Sequence, residues 1–258
     1  MPRQERLSES RGARVRRPAE AEALPTAAMA AYERMRSDIV RGVLPPDSRL
    51  RLADMAERYQ CGVMPMREAL NRLAAEAMVA YSGQRGFAVA PISVEDLRDL
   101  TRARVLLQEV AIRESVLNGD EAWEERIVVA QHRLARTPRY LDEERRELNP
   151  LYDTLHREFH TALVSACGSQ WIITMCEDLF DRAERYRCVS RTYQPKPREN
   201  QHKAIVEALL GRRVEDAIRL SQEHVQATCE LALRAMTAQE GDGFDRGVSG
   251  FQEAAQDK

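Results

Sequence analysis

Four of the five histidines in this 258-residue chain fall in helix-patterned segments of its C-terminal half, at positions predicted to face the interior. His156 and His160 are four residues apart, so their imidazoles lie about one turn apart on one face of a helix. His202 and His224 fall in two later helical segments. This pattern predicts one interior polar site. Such a site either binds a divalent metal through neutral imidazole nitrogens or is a hydrogen-bonded cluster of buried histidines.

The spacing of His156 and His160 also resembles the HExxH motif of zinc-dependent hydrolases. In that motif a glutamate directly follows the first histidine and activates a metal-bound water. Here Arg157 holds that position, and Glu158 points about 200° away from His156 around the helix. Because the protein would also supply the fourth ligand, the residues predict a sensing site, and a metal-dependent enzyme is the alternative.

Composition limits the class of protein. No apolar run approaches the length of about 18 residues that spans a membrane, and residues 1–25 lack the apolar segment of a secretion signal. The five cysteines are odd in number and show no CxxC spacing. This usage favours reduced thiols in a cytoplasmic protein over disulfides or a cysteine zinc site.

The net charge of −2 is unevenly distributed along the chain. Residues 1–25 and 26–92 each carry a charge of +2, whereas residues 93–258 carry −6. This distribution is compatible with nucleic-acid contact near the N-terminus. Residues 1–25 are predicted to be a disordered arm. The arm is either a passive tail or a DNA-contacting segment that uses Arg11, Arg14, Arg16 and Arg17.

Residues 26–92 have the pattern of a small domain with three helices and a hairpin. The helices are predicted at residues 26–41, 52–60 and 64–78. Two short strands follow around a glycine-flanked turn. This order is the outline of a winged helix-turn-helix, in which the third helix can enter the major groove of DNA. The predicted contact residues are Arg67 and Asn71 on that helix, and Gln84 and Arg85 at the hairpin tip.

The run Pro65-Met66-Arg67-Glu68-Ala69-Leu70-Asn71-Arg72-Leu73, with Gly86-Phe87-Ala88-Val89 after it, resembles the N-terminal domain of the GntR family of bacterial transcription regulators. The resemblance implies that Arg67 grips the DNA backbone and that Gly86 lets the hairpin approach the minor groove. The family usually has Ser-Arg-Thr before this proline, whereas this chain has Gly62-Val63-Met64. Val63 and Met64 offer only apolar contact, for example to a thymine methyl group. We therefore expect an unusual operator, or greater reliance on Arg67, Arg72, the wing and the arm.

Helical segments separated by glycine and proline continue to Met236, without a strand pattern. The fold is therefore predicted as mostly α, with a winged helix-turn-helix at residues 26–92 and an all-α antiparallel bundle at residues 93–236. Residues 237–258 are predicted to be a flexible tail. The run Arg182-Ala183-Glu184-Arg185-Tyr186-Arg187 is charged enough to predict a solvated face or a dimer contact.

Through Asp96-Leu97-Arg98-Asp99-Leu100, His156-Arg157-Glu158-Phe159-His160 and the later histidines, the bundle resembles the FCD ligand-binding domain of FadR-like GntR regulators. The resemblance implies a divalent metal that holds the carboxylate of a small organic acid. His160, His202 and His224 match the family's three histidine ligands, and His156 stands where many members have an aspartate. Arg104 matches an arginine that pairs with the effector's carboxylate.

Histidine in place of aspartate makes the predicted metal site less charged. This favours Zn or Ni over Mn or Mg. Asp153, about one turn before His156, is predicted to orient the His156 ring.

These features predict a cytoplasmic, ligand-responsive transcription regulator, acting as a repressor. It would bind a palindromic operator as a homodimer, and a small organic acid held by the metal and Arg104 would shift the bundle and the spacing of the two DNA-reading helices. Two alternatives remain open. One is a metal-dependent enzyme with an appended helix-turn-helix, and the other is a metal-bound interaction module whose winged domain no longer binds DNA.

Overall fold

The computed structural model describes residues 26–83, 86–142, 149–189 and 199–252. The predicted N-terminal arm, residues 1–25, lies outside this part of the chain, as do residues 253–258. Within the described ranges, no helix is both long enough and apolar enough to cross a membrane.

Three helices and a small antiparallel sheet form the winged domain. In chain order, its elements are α1 (Ala27–Val40), β1 (Arg49–Leu50), α2 (Leu52–Arg58), α3 (Val63–Ala75), β2 (Val79–Ser82) and β3 (Gly86–Val89). Thr26 caps α1, because its Oγ1 accepts a 3.2 Å hydrogen bond from the Met29 amide. The fully buried side chains of the domain core include Met35, Ile39, Met66, Leu70 and Leu73.

The predicted wing hairpin belongs to a three-stranded sheet with the order β1-β3-β2. β2 and β3 pair antiparallel, with Val79 opposite Val89 and Ser82 opposite Gly86. β1 was not expected from the sequence. Its two residues pair with Phe87 and Ala88 of β3, and two residues are too few to show the alternation by which a strand is recognised.

The C-terminal part is an all-α bundle, as the sequence predicts. Its helices are α4 (Val94–Asn118), α5 (Glu121–Ala135), α6 (Pro150–Val164), α7 (Gln170–Val189), α8 (Glu199–Leu210) and α9 (Val214–Gln252). α9 continues past Met236 and so includes residues 237–252 of the segment predicted as a tail. Helix α9 is thus longer than the periodicity indicates.

Helix α6, which carries His156 and His160, is held by the bundle core beside it. Trp123 of α5 is fully buried, and its Nε1 donates a 3.0 Å hydrogen bond to the Ala162 carbonyl near the end of α6. Phe159 of α6 is fully buried in the same cluster. Burying a side chain of this size stabilises the folded state by about 1.5–3 kcal/mol. The histidine-bearing face of α6 is therefore directed to the interior.

Helix α7 packs against both domains. The prediction of a solvated face for its run from Arg182 to Arg187 is wrong, because four residues of the run are buried. Arg182 Nη2 donates a 2.7 Å hydrogen bond to the Glu76 carbonyl at the end of α3. Arg185 donates one to the Ala90 carbonyl just after β3. The charge run thus joins the bundle to the winged domain, and its acceptors are backbone carbonyls distant in sequence.

Candidate functional site

The four predicted histidines converge on one point inside the bundle. α6 supplies His156 and His160, α8 supplies His202, and α9 supplies His224. One ring nitrogen from each lies within 4.8 Å of the other three, and the Nε2 atoms of His156 and His160 are 3.2 Å apart. Between 5% and 8% of each residue is exposed. The sequence prediction of one interior histidine cluster is therefore correct in its geometry.

The cluster has the dimensions of a metal site. Nitrogen ligands at about 2.0–2.1 Å from a tetrahedral ion lie about 3.3–3.4 Å from one another. The 3.2 Å separation of the His156 and His160 Nε2 atoms is close to that value. Imidazole nitrogen is also a favourable ligand for first-row transition ions. The four residues could therefore hold a metal ion after a small inward movement of those ring nitrogens that lie farther apart than this.

Burial keeps the imidazoles neutral. Desolvation lowers the pKa of His156 and of His160 well below the usual value for histidine. The positive charge of Arg187 adds to this effect at His156, and His224 adds to it at His160. A neutral imidazole keeps a nitrogen lone pair for metal binding, so protons compete little at neutral pH.

Gln201 orients the fourth histidine of the cluster. Its Oε1 accepts a 3.1 Å hydrogen bond from His224 Nδ1. A hydrogen bond at one ring nitrogen fixes the tautomer, so Nε2 of His224 carries the lone pair. Gln201 and His202 are adjacent on α8, which lets one helix supply both a candidate ligand and the partner of another.

The carboxylate nearest to His156 is Glu184 of α7, whose Oε1 lies 3.8 Å from His156 Nδ1. Burial raises the pKa of Glu184, and Arg187, at 2.5 Å, opposes this effect. Asp153, predicted to orient His156, forms ion pairs with Arg41 at 3.4 Å and with Arg187 at 3.7 Å instead. Helical spacing alone placed Asp153 near the right face, but the packing of α7 brings Glu184 closer to the ring.

A small cavity of about 30 Å³ lies beside the cluster and is lined by His160 and Arg104 together. Arg104, on α4, has its Cζ atom 5.6 Å from the centroid of the Phe180 ring. Burial lowers the pKa of Arg104, although an arginine remains charged in proteins. Among the described residues, no carboxylate lies within 4.0 Å of its guanidinium, and Glu184 pairs with Arg187.

The two charged residues between the histidines of α6 face away from the cluster. Arg157 Nε lies 3.0 Å from Asp181 Oδ1. Glu158 lies at the surface, 3.4 Å from Arg133. Neither side chain is placed to activate a metal-bound water, in contrast to the glutamate of an HExxH motif.

The predicted DNA-contacting residues at the start of α3 share one exposed face. Val63 and Met64 are 50% and 73% exposed. Arg67 and Asn71 follow on the same face and are also exposed. The opposite face of α3 packs into the domain core. This orientation is the one in which a recognition helix can enter the major groove.

Arg72 lies about 140° around α3 from Arg67. Its Cζ atom is 3.9 Å from the centroid of the Tyr32 ring, and its Nε is 3.6 Å from the Glu76 carboxylate. These contacts hold α1 against α3. They favour a structural role for Arg72 over the predicted contact with DNA.

Of the residues predicted to contact DNA from the wing, the structure describes Gly86. Gly86 begins β3 with a φ of +76°, in the left-handed region that favours glycine. A Cβ at this position would meet no heavy atom of the described residues within 4 Å, so none of them blocks an approach to the backbone here. Gln84 and Arg85 lie outside the described residues, and their roles stay predictions.

Comparison with known proteins accounts for both parts of the chain. Residues 27–89 match the family described as bacterial regulatory proteins, gntR family, and residues 99–227 match the FCD domain. The HTH-type transcriptional repressor GlaR of Escherichia coli (strain K12) is 32% identical over 217 residues, which cover 80% of this chain and 95% of GlaR. The chain belongs to the GntR family of bacterial transcription regulators.

Other proteins similar to this GntR regulator support the same family assignment. BphR of Paraburkholderia xenovorans (strain LB400), an uncharacterised HTH-type transcriptional regulator, is 37% identical over 78% of this chain and 83% of BphR. The solved structure of E. coli McbR/YncC has a TM-score of 0.69 at 18% identity, covering 82% of this chain and 99% of that one. A regulator from Rhodococcus sp. RHA1 has a TM-score of 0.65 at 23% identity, covering 81% and 98%. The chain is thus a transcription regulator and not an enzyme, and the solved structures support its fold.

The positions of two residues at the site of this GntR regulator could not be predicted from the sequence. Gln201 reaches His224 only because α8 and α9 pack side by side. Glu184 sits within a charge run whose pattern indicates solvent, yet it lies beside His156 in the interior. Helical periodicity assigns a residue to a face but does not say which distant helix covers that face.

Proposed function

We propose that this regulator is a repressor that senses a small organic acid through a metal ion held by His156, His160, His202 and His224. The observation that carries the proposal is the cavity that His160 shares with Arg104. A metal ion held by the four histidines would supply a Lewis-acidic centre for one carboxylate oxygen if its coordination expands from four to five. Arg104 supplies a planar guanidinium, which binds carboxylates through paired N–H donors.

The electrostatics of Arg104 support an anionic ligand. Its guanidinium is desolvated by burial, and among the described residues no carboxylate within 4.0 Å compensates its charge. A buried charge without a partner is unfavourable. An organic carboxylate that enters the cavity would supply the missing partner, whereas a neutral or cationic molecule would leave the charge uncompensated.

The size of the cavity supports a ligand-driven change of shape. A cavity of about 30 Å³ is small for a short carboxylic acid with several heavy atoms. Separation of the cavity walls would give such an acid more room. Those walls belong to α4, α6 and α7. Ligand binding would thereby favour a second arrangement of these helices.

The donor set bears on the identity of the metal. Four neutral nitrogens, with no carboxylate among them, suit borderline ions better than hard ones. We therefore infer Zn or Ni in preference to Mn or Mg.

The exposed start of α3 supports DNA binding by a homodimer. Two copies related by a two-fold axis would place two α3 helices in successive major grooves, about 34–36 Å apart, and so read a palindromic operator. Val63 and Met64 would make apolar contacts, for example with thymine methyl groups, and Arg67 would bind a phosphate.

Selection from a pool of random duplex DNA, followed by fluorescence anisotropy, tests this function with the full-length protein. We expect an enriched palindrome, and we expect one short mono- or dicarboxylic acid to weaken its binding to the Zn-loaded protein by about tenfold or more. The Arg104→Met variant should bind the same DNA but not respond to that acid. If no sequence is enriched under any condition, the chain is an interaction module whose winged domain does not bind DNA.

Arg102→Met is the matched control. It removes the same charge from the same helix at an exposed position two residues away. We expect it to keep the response to the acid. An equal loss of response in both variants would assign the effect to the charge of α4 as a whole and would contradict the role of Arg104.

A further inference from the structure

We propose that Asp181 is the residue through which the bundle fixes the orientation of the winged domain. Asp181 lies on α7 and is 2% exposed. Its carboxylate is shared by two arginines from different domains. Arg36 Nη1 of α1 is 2.6 Å from Oδ2, and Arg157 Nε of α6 is 3.0 Å from Oδ1. The inference rests on the proposed function, since it concerns how the state of the metal site reaches the DNA-binding helix.

The two arginines belong to helices with different tasks. Arg157 directly follows His156 on α6, so it moves with the helix that supplies two candidate metal ligands. Arg36 is on α1, which packs against α3 in the core of the winged domain. Arg36 Nε is also 3.6 Å from the carboxylate of Glu76, which directly follows α3. The buried carboxylate of Asp181 therefore forms one ion pair with α6, the helix that carries two candidate metal ligands, and another with α1 of the winged domain.

Helix α7 is itself part of the cavity wall. Phe180 lines the cavity, and Asp181 is the next residue. Arg182 and Arg185 of the same helix hold backbone carbonyls of the winged domain. A movement of α7 that widens the cavity must therefore move the anchor points of the winged domain as well.

Burial makes the Asp181 contact sensitive to small shifts. A desolvated ion pair stabilises only when its geometry is good, whereas an exposed pair contributes little in any geometry. A relative displacement of α6 and α7 would lengthen one of the two pairs and leave a buried charge less well compensated. A cleft of about 700 Å³, lined by Arg36, Arg157 and Asp181, separates the domains here and gives them room to reorient.

The Asp181→Asn variant tests the proposal, with Zn(II) and EDTA as the probes. The substitution keeps the shape of the side chain and removes the one buried negative charge that Arg36 and Arg157 share. We expect the operator affinity of the wild-type protein to differ by about fivefold or more between the Zn-loaded and EDTA-treated states. In the variant we expect a difference below about twofold, with an unchanged Zn content per chain. A variant that keeps the wild-type ratio would overturn the proposal.

Hydrogen–deuterium exchange provides a readout that does not depend on DNA. In the Zn-loaded Asp181→Asn protein, we expect faster amide exchange than in the wild type over the second half of α1 and over α7. Unchanged exchange in both helices would also overturn the proposal. If instead the operator affinity of the wild-type protein responds neither to Zn nor to any of the acids, the proposed function fails, and the exchange experiment still decides on Asp181.

Asp178→Asn is the control for charge. Asp178 lies three residues before Asp181 on α7 and 3.7 Å from Arg36 Nη2, but its side chain is 59% exposed. We expect wild-type behaviour from it in both experiments, and a loss equal to that of Asp181→Asn would contradict the role of burial.

If Asp181→Asn does not fold, Arg36→Gln serves in its place, because it leaves Asp181 paired with Arg157. The same loss of the Zn response is expected from it, and a retained response would overturn the proposal.

Discussion

At the scale of single residues, the interior of the bundle combines four buried imidazoles with the guanidinium of Arg104, which has no carboxylate within 4.0 Å among the described residues. Burial lowers the pKa of His156 and of His160 and so favours their neutral forms, whereas Arg104 stays charged. Neutral nitrogens suit a metal ion and the guanidinium suits an anion. A carboxylate is a ligand that satisfies both.

The histidine ligands are tested by His202→Ala. We expect it to weaken Zn binding by more than about 100-fold, because changes that only reorient a ligand already cost about 10–100-fold. Competition with a chromophoric chelator measures the affinity. The fifth histidine, His132, is exposed on α5, so His132→Ala should bind Zn like the wild type. Equal losses in both variants would contradict the cluster as the metal site.

The burial of His156 and His160 predicts a pH dependence of stability in the metal-free protein. Their pKa values are lowered by folding, so the unfolded chain binds more protons once the pH falls below about 6.5. The free energy of unfolding should then fall by up to about 1.4 kcal/mol per pH unit for each histidine. Urea unfolding with EDTA between about pH 7.5 and pH 5.5 measures this. A His156→Asn, His160→Asn protein with the same slope would contradict it.

At the scale of elements, α6 is the helix on which the site depends. It carries two of the histidines, and the buried indole of Trp123 fixes its last turns through the Ala162 carbonyl. Because this hydrogen bond joins α5 to α6 in the core, its loss would leave the Ala162 carbonyl with only the local donors of Ser165.

Trp123→Phe tests this anchor. The variant loses the indole N–H and leaves a cavity, so we expect the free energy of unfolding to fall by about 2–4 kcal/mol. Urea denaturation measures the change. The other tryptophan, Trp171, is 78% exposed, and Trp171→Phe should change stability by less than about 0.5 kcal/mol. Similar effects of the two substitutions would show that the Ala162 contact does not hold α6.

At this scale, the sequence predicts which face of a helix a residue lies on but not which helices become neighbours. Amphipathic spacing placed His156, His160, His202 and His224 on interior faces, because periodicity depends only on local geometry. It could not place Glu184 or Gln201, whose contacts depend on which helices become neighbours. The prediction of a solvated face for the run from Arg182 to Arg187 was wrong for the same reason. A charged run indicates a solvent-exposed face unless distant backbone carbonyls accept hydrogen bonds from it. The two-residue strand β1 was too short to give any pattern.

At the scale of the whole molecule, one helix, α7, lines the cavity beside the histidine cluster and also contacts the winged domain. α7 contributes to the cavity wall, to the environment of His156 and to the anchoring of the winged domain. On the far side of that domain, α3 presents Val63, Met64, Arg67 and Asn71 on one face. Under the proposed function, a change in the cavity would reach DNA through a change in the orientation of the winged domain.

The orientation of α3 predicts different effects on DNA binding for substitutions of its two arginines, Arg67 and Arg72. Arg67→Ala should weaken binding to all sequences and reduce the slope of log affinity against log salt by about one, because one phosphate contact is lost. Arg72→Ala should lower stability but keep that slope, since Arg72 packs on Tyr32. Anisotropy titrations over a series of salt concentrations measure both. The reverse assignment of slopes would contradict the orientation of α3.

Calorimetric titration of short mono- and dicarboxylic acids into the Zn-loaded full-length protein tests the central claim most directly. We predict that one acid binds with one molecule per chain, and that both EDTA treatment and Arg104→Met abolish its binding while Arg102→Met does not. Acid binding that survives both the removal of the metal and the loss of Arg104 would place the effector elsewhere and contradict the proposed sensor site.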